Sequence, residues 1–320
     1  MPARIRKFRD YKRYKMKKQP KVAIIIATFN QEKLLFKNLE TLKKRTGYKN
    51  YKVYLVDDSG NGKIGKLVQE KFKFVDVTIN KENIGFSRSN NIGIKKAINN
   101  YNPDYFLLLN DDTEVIQRNW LNKMIEVGER NEKIGILGCK LVYPGGNLQN
   151  IGGYIRKWEI VKELEDREDI FEVDHVMGAF MMIKRAVIER IGLLNEIYSP
   201  YLLEDTDYCL SAKKNGFKVV SVGNVKIIHN KGKSIDSQKD KKMLVVRFKN
   251  DIIFSLRNLG VTNALFRIFV YLPLVAIFKK KDDEAELKFR NFVLRKDFLI
   301  NLGIYLFSLI NSPIKYLLKK

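Results

Sequence analysis

Short apolar runs alternate, over the first third of the chain, with stretches whose hydrophobic positions recur every three to four residues. The runs are Val22–Ala27, Tyr51–Val56, Val75–Ile79 and Tyr105–Leu109, rich in β-branched and aromatic residues, as expected of strands buried on both faces of a parallel sheet. Between them, Leu34, Leu35, Leu39 and Leu42 predict a helix closing near Gly47, a Gly-rich turn follows Ser59, and Ser87–Asn99 predicts a further helix. A β-α rhythm of this kind predicts the α/β class: an open, Rossmann-like, mostly parallel sheet with helices on both faces. Such sheets bind ligands outside the carboxyl ends of their strands. Four successive strands end there in polar or acidic residues, gathering Thr28 and Asn30, Asp57 and Asp58, Asn83 with Gly85, and Asn110-Asp111-Asp112 along one rim.

Beyond a helix predicted over Trp120–Arg130 the pattern changes. Ile134–Val142 reads as a strand, Pro144–Asn147 as a turn, and Gly152-Gly153-Tyr154 as a hairpin. The charged stretch Glu159–Glu172 reads as a surface loop. Val176–Ile183 is apolar around Gly178, and Arg185–Ile191 is a short helix stopped by Gly192. Glu204–Lys214 is a helix with acids in its first turn, where the dipole favours them. Two short strands, Lys218–Val222 and Val225–Ile228, lead into His229. Past residue 240 the apolar content becomes helical. Ala264–Phe278 and Phe298–Ile310 fall short of the ~20 apolar residues of a spanning helix and suit interfacial amphipathic helices, or packing on a partner.

Charge sharpens this division. Of a formal net charge of +24, residues 1–21 hold ten Lys/Arg against one acid and residues 240–320 hold sixteen against seven. The basic ends predict contact with an anionic surface, phospholipid or nucleic acid. The domains expected are a basic arm over 1–21, an α/β domain over 22–250 and a helical, membrane-associating region over 251–320. Two cysteines seventy positions apart indicate neither a disulfide framework nor a zinc site, and the N-terminus lacks the apolar stretch of a secretory signal, which points to the cytoplasm. No Gly-x-Gly-x-x-Gly follows the first strand, which argues against a nicotinamide or flavin cofactor.

The acids at 110–112 repel one another unless solvent or a hard divalent cation neutralises them, although a polar loop with a helix-capping acid explains them too. Taken with the rest of the chain they fall into a known order: Ala27-Thr28-Phe29-Asn30, Val56-Asp57-Asp58-Ser59, Asn83-x-Gly85-Phe86, Leu109-Asn110-Asp111-Asp112-Thr113, Met177-Gly178-Ala179-Phe180, Glu204-Asp205-Thr206-Asp207 and Ile228-His229. Over residues 22–250 this resembles the family 2 glycosyltransferases, in particular the rhamnosyltransferase-like subgroup that builds surface polysaccharides. The resemblance implies a GT-A fold and inverting transfer of a sugar from a nucleotide-diphosphate sugar donor to a glycan or lipid-linked acceptor, with Mg²⁺ or Mn²⁺ as cofactor. It implies Asp205 as catalytic base, and Asp112 and His229 as metal ligands. Thr28, Asn30, Asp57, Asp58, Asn83, Gly85, Asn110, Asp111 and Gly178 would lie around the donor, Glu204 and Asp207 on the acceptor side. Asn110 stands where many members carry an acid, and Asn195 where they carry Asp before Glu196. Taken singly, Asp205 could cap its helix and His229 could be an ordinary core histidine; His175 receives no role. The resulting expectation is an enzyme peripheral on the inner face of the cell membrane. Competing classes are a sugar-nucleotide pyrophosphorylase, which needs a Gly-rich phosphate loop absent after Ala27, and a non-enzymatic nucleic-acid binder, which the near-neutral middle disfavours. A degenerate scaffold is disfavoured by the retained Asp112, Asp205 and His229.

Overall fold

The computed structural model describes residues 19–163, 165–230, 241–273 and 302–310. They divide into two units, the first holding residues to Tyr154 and again from Ile160 to 230, the second holding Ile155–Glu159 and the residues beyond 240.

In the first unit, β1 (Val22–Thr28), α1 (Glu32–Arg45), β2 (Tyr51–Asp57), α2 (Lys63–Lys71), β3 (Val75–Ile79), α3 (Phe86–Tyr101) and β4 (Tyr105–Leu109) realise the predicted rhythm, α2 filling the stretch after the Gly-rich turn. These strands pair in parallel in the order β4-β1-β2-β3. Period-two alternation then sends neighbouring residues of each strand to opposite cores. Ile24, Ile26 and Leu107 meet Leu35, Leu39 and Leu42 of α1 on one face, while Ala23, Ile25 and Leu108 meet Ile94 and Ala97 of α3 on the other. The entry to β1 is pinned: Tyr48 donates its hydroxyl to the Pro20 carbonyl at 2.6 Å and Asp104 accepts from the Lys21 N–H at 2.7 Å. Of the predicted basic arm, residues 1–18 lie outside the described residues.

The other half of the sheet is mixed. β5 (Thr113–Val115), α4 (Trp120–Glu129), β6 (Ile134–Val142), β7 (Leu148–Asn150), β8 (Gly153–Arg156), β9 (Glu159–Lys162), β10 (Ile170–Val173), β11 (Phe180–Lys184), α5 (Arg185–Ile191), α6 (Glu204–Lys214) and β12 (Lys218–His229) follow in order. β11 lies antiparallel between β4 and β6, while β12 runs parallel to β6 and antiparallel to β10 and β5. Two expectations need correction. The stretch 159–172 is not wholly a loop: β9 and β10 flank the acidic segment, and β10 buries Phe171 and Val173 at the sheet edge. Residues 218–229 form one strand, because the irregularity at Val222–Lys226 is absorbed as a register shift against β6 without ending the ladder.

In the second unit, α7 (Lys241–Asn258) precedes α8 (Val261–Phe266), a π-helical turn over Arg267–Tyr271, and a helical segment over 302–310. Phe248, Ile252, Ile268, Leu272 and Tyr305 form its core, with Phe248 and Tyr305 edge-to-face at 5.4 Å. α7 runs unbroken through residue 250, where a domain boundary was expected, and falls within the second unit. Of the two apolar runs expected to be interfacial, residues 274–301 lie outside the described residues. Among those described, no helix is long and apolar enough to cross a membrane.

Candidate active site

The carboxyl end of β1 meets the turn after β4. Thr28 donates its hydroxyl to Asp111 Oδ2 at 2.6 Å, and the Asp111 carboxyl, buried, is pushed up to about 7 chiefly by loss of solvation, with the charge of Asp112 adding to it. Asp111 thus ties two strand ends together inside the molecule. Asn110 uses its backbone: its N–H donates to the Ala179 carbonyl at 3.0 Å, and its carbonyl accepts from Asn38 Nδ2 and from the Thr113 hydroxyl.

Asp112 meets His229 through sheet pairing, because the antiparallel register of β5 on β12 sets Thr113 opposite His229. His229 Nε2 lies 3.2 Å from Asp112 Oδ1. On the other side of the ring, His229 Nδ1 lies 2.6 Å from Gln149 Oε1, while Gln149 Nε2 faces the His229 carbonyl at 3.4 Å. That second contact fixes which way round the amide sits, so Oε1 is the acceptor and Nδ1 carries the proton. With that proton on Nδ1, the Nε2 atom faces the Asp112 carboxylate oxygen. Two acceptors at that separation require a proton or a cation between them, and a histidine held in one tautomer by a buried outer partner is the donor arrangement that suits a divalent ion. Asn230 holds the same turn, donating its N–H to the Asp112 carbonyl at 2.8 Å and its amide to Glu114 Oε1 at 2.8 Å. Among the described residues no three or more His, Cys, Asp or Glu side chains converge as a metal cage. Asp112 and His229 would supply two ligands to such an ion.

Asp205 stands at the start of α6, half-buried. Its Oδ2 accepts the Gly178 N–H at 2.7 Å and its Oδ1 accepts the Thr206 N–H at 2.6 Å and the Thr206 hydroxyl at 3.2 Å. A Cβ on Gly178 would lie 3.3 Å from both Asp205 Cβ and Phe86 Cζ, so the glycine makes room for these two side chains. Leu202 and Leu203, immediately before α6, adopt positive φ of 82° and 73°, a strained entry that sets the first turn of the helix. One residue beyond Gly178, the Ala179 carbonyl holds the Asn110 N–H, joining the Asp112 turn to the Asp205 region.

The rest of the predicted set divides by burial. Asp58 accepts from Asn80 Nδ2 and from the N–H groups of Ile84 and Gly85 at 2.8–3.0 Å, and so shapes the loop before α3. Gly85 has φ 87°, and a Cβ there would lie 2.5 Å from the Pro200 carbonyl oxygen, which also accepts the Phe86 N–H at 2.7 Å. Asp57 is wholly buried, its oxygens taken by the N–H groups of Ser59 and Gly65. Asn30 and Asn83 are exposed on the rim. Glu204 and Asp207 do not present themselves to solvent as expected of acceptor-side groups. Asp207 accepts the Tyr198 hydroxyl at 3.0 Å in the interior, and burial, with Asp205 adding to it, pushes the Glu204 carboxyl well above the usual carboxylate range.

Sequence reasoning missed Gln149, which lies on β7 in a stretch read only as turns, and His175. The latter is buried, exchanges backbone hydrogen bonds with Gly153 at 3.0 and 3.2 Å, and is pushed down by desolvation against an opposing pull from Asp205. Only its place two residues before the Met177-Gly178 motif could have drawn notice.

The family model "Glycosyl transferase family 2" matches residues 23–192, more than half of the chain. The chain is 24% identical to the O-antigen biosynthesis protein RfbC of Myxococcus xanthus over 69% of its own length and 18% of that protein's. It is 25% identical to the low-salt glycan biosynthesis hexosyltransferase Agl10 of Haloferax volcanii, over 54% of this chain and 57% of that one. An uncharacterized protein of Sinorhizobium fredii, y4gI, is 26% identical over 76% of this chain and 28% of its own length. The chain thus spans between about a fifth and somewhat over half of these relatives. In fold it is similar to the mannosyltransferase PcManGT of Pyrobaculum calidifontis, solved with GDP-Man and Mn²⁺ (TM-score 0.56, 13% identity, 95% of this chain and 89% of that one). It is likewise similar to GalNAc-T7, solved with UDP, GalNAc and Mn²⁺ (TM-score 0.56, 16% identity, 75% and 51%). The architecture is accordingly a GT-A-like α/β fold.

Proposed function

The chain belongs to glycosyl transferase family 2, and from that premise we propose that it transfers a hexose-class sugar, with inversion, from a nucleotide-diphosphate sugar to a hydroxyl of a glycan or lipid-linked acceptor in surface-polysaccharide synthesis. One observation carries the reading: Asp112 and His229, far apart in sequence, stand 3.2 Å apart, with Gln149 keeping the proton on the outer ring nitrogen. A divalent cation held there, Mg²⁺ or Mn²⁺, supplies Lewis-acid compensation for the charge that grows on the leaving diphosphate. Asp205 receives the proton of the attacking acceptor hydroxyl. Donors on both of its oxygens aim the carboxylate, and burial pushes the neighbouring Glu204 carboxyl well above the usual carboxylate range. Asp58 and Gly85 build the loop along which the nucleotide would lie, and Thr28 with Asp111 braces the strand ends beneath it. Asn30 and Asn83 are the exposed rim groups free to meet the donor.

The test begins with thermal shift against UDP, GDP and dTDP sugars with Mg²⁺ or Mn²⁺, followed by turnover with the stabilising donor. Asp205→Asn is expected to abolish transfer while keeping metal-dependent nucleotide binding. Turnover near that of the wild type would remove Asp205 as base, and nucleotide binding indifferent to Mn²⁺ would remove the metal pair.

A further inference from the structure

The loop that leads into α6, and so into Asp205, is held by a different helix. Asn91 lies buried on α3, and its side-chain amide pairs with the backbone of Leu194 on both edges: Oδ1 accepts the Leu194 N–H at 3.1 Å and Nδ2 donates to the Leu194 carbonyl at 2.9 Å. A backbone N–H only donates and a carbonyl only accepts, so the amide sits one way round. Its Nδ2 also donates to Glu196 Oε1 at 3.1 Å, and Arg88, one turn earlier on α3, lies 3.4 Å from the other Glu196 oxygen. Glu196 opens a single 3-10 turn, Glu196–Tyr198, capped by the Asn195 side chain, which accepts the Ile197 N–H at 3.1 Å. That turn sends Tyr198 into the interior, where its hydroxyl donates to Asp207 Oδ1 at 3.0 Å, two residues past Asp205 on α6.

A second line of contact starts from the same helix. At the head of α3 the Phe86 N–H donates to the Pro200 carbonyl at 2.7 Å, and Gly85 leaves the space in which Pro200 sits. The Phe86 ring reaches to 3.3 Å from the point where a Gly178 Cβ would stand, and the Gly178 N–H holds Asp205 Oδ2 at 2.7 Å. α3 thus touches both segments that fix the Asp205 carboxylate. Between the Pro200 anchor and α6, Leu202 and Leu203 take positive φ, which a leucine keeps only where its surroundings over-determine it. Freed from its anchors, this loop would relax toward ordinary backbone angles and carry the first turn of α6 with it.

We propose that Asn91 is a positioning residue for the reaction: by fixing Leu194 and Glu196 it holds the loop 194–203 in the strained form that delivers Asp205 to the rim at the strand ends. Its role rests on the reading of Asp205 as the base, and adds to that reading what keeps the base in place. α3 begins in the loop that Asp58 shapes through the N–H groups of Ile84 and Gly85. One helix therefore carries the proposed nucleotide loop at its head and the anchor of the base along its side, so that Asn91 joins the two halves of the site mechanically.

The test pairs turnover with hydrogen exchange in the full-length protein. Asn91→Ala removes all three hydrogen bonds. It is expected to lower kcat by about 10–100-fold, as a shift of a reacting group by about an ångström does, while Mn²⁺-dependent binding of the nucleotide chosen by thermal shift changes by less than about twofold. The N–H groups of Gly178 and Thr206, both donated to Asp205, should exchange about tenfold faster or more, with the amides of β1 and β2 unchanged. A wild-type kcat would overturn the proposal, as would wild-type exchange at those two amides. Should Asn91→Ala melt too low to assay, Glu196→Ala removes one of the three bonds at a side chain that is 42% exposed, with a smaller fall in kcat and the same two amides affected. Glu196→Gln keeps an oxygen for Asn91 and should recover most of that loss; no recovery would overturn the proposal too. Wild-type protein that turns over none of the donors would sink the transferase reading instead, and the exchange rates would still decide whether Asn91 holds Asp205.

Discussion

Replacing Gln149 by Ala asks whether the outer partner of His229 governs metal affinity. In the wild type the buried Nδ1 proton is accepted at 2.6 Å, and the amide is held by the His229 carbonyl at 3.4 Å. The truncation leaves a buried N–H without an acceptor, which costs about 1–3 kcal/mol. The ring escapes that cost by shifting its proton to Nε2 and presenting N–H, not a lone pair, toward Asp112. A cation must then reverse the shift to bind, so the same quantity reappears as lost affinity. Outer partners of metal-bound histidines are worth about 10–100-fold in affinity, which at about 1.4 kcal/mol per decade overlaps that range. Isothermal titration of Mn²⁺ in the presence of the nucleotide chosen by thermal shift measures the loss. Gln149→Glu restores an acceptor to Nδ1 and should recover most of it, whereas a general loss of structure would not be rescued. Unchanged Mn²⁺ affinity in Gln149→Ala would refute the reasoning, because the tautomer would then not depend on Gln149.

Other consequences are more quickly checked. Burial pushes the Glu204 carboxyl well above its unfolded value, so the folded protein binds that proton more tightly than the unfolded chain and its contribution to stability falls as pH rises. Glu204→Gln should therefore gain on the wild type from pH 5 to pH 8, by at most about 1.4 kcal/mol per pH unit; a denaturation difference that does not change with pH would exclude this. Gly178→Ala should lower kcat by about tenfold with less than about 1 kcal/mol of destabilisation, because its methyl group presses on Asp205 and Phe86 at 3.3 Å and those side chains must give way. Steady-state kinetics beside a thermal melt separates the two effects. Arg267→Met should destabilise the second unit by about 3–5 kcal/mol, leaving Asp251 charged and buried, and adding Asp251→Asn should return part of that loss in a double-mutant cycle.

Much of this was legible because the signals are local. The β-branched runs at Val22–Ala27 and Tyr51–Val56 are buried on both faces and read as parallel strands without ambiguity, and the polar residues at their ends fall on the rim where the class rule puts them. The places where reading failed depend on contacts between distant residues. β11 resembles any apolar run, and nothing in Phe180–Lys184 announces that it lies antiparallel between β4 and β6. β10 escapes notice because only Phe171 and Val173 alternate inward beside a long acidic stretch. Within the site, sequence order singled out Asp112, Asp205 and His229, but it could not separate carboxylates that face the rim from those that hold the rim together. Asp57 and Asp58 read alike with the others until their oxygens are seen to be taken by backbone N–H groups. Gln149 was invisible because a glutamine in a turn-rich stretch carries no pattern.

The register of β12 against β5 also has a consequence for synthesis. The parallel half of the sheet is complete once Leu109 has been made, but His229 pairs with Thr113 only after more than a hundred further residues have been added. During vectorial synthesis at about 5–20 residues per second, the nascent protein therefore passes several seconds with the carboxylate of Asp112 in place and its imidazole partner still missing. A polypeptide released early in that interval would carry the rim at the ends of the parallel strands without the Asp112–His229 pair. The pairing of Asp112 with His229 therefore forms only in a chain that has been extended through β12.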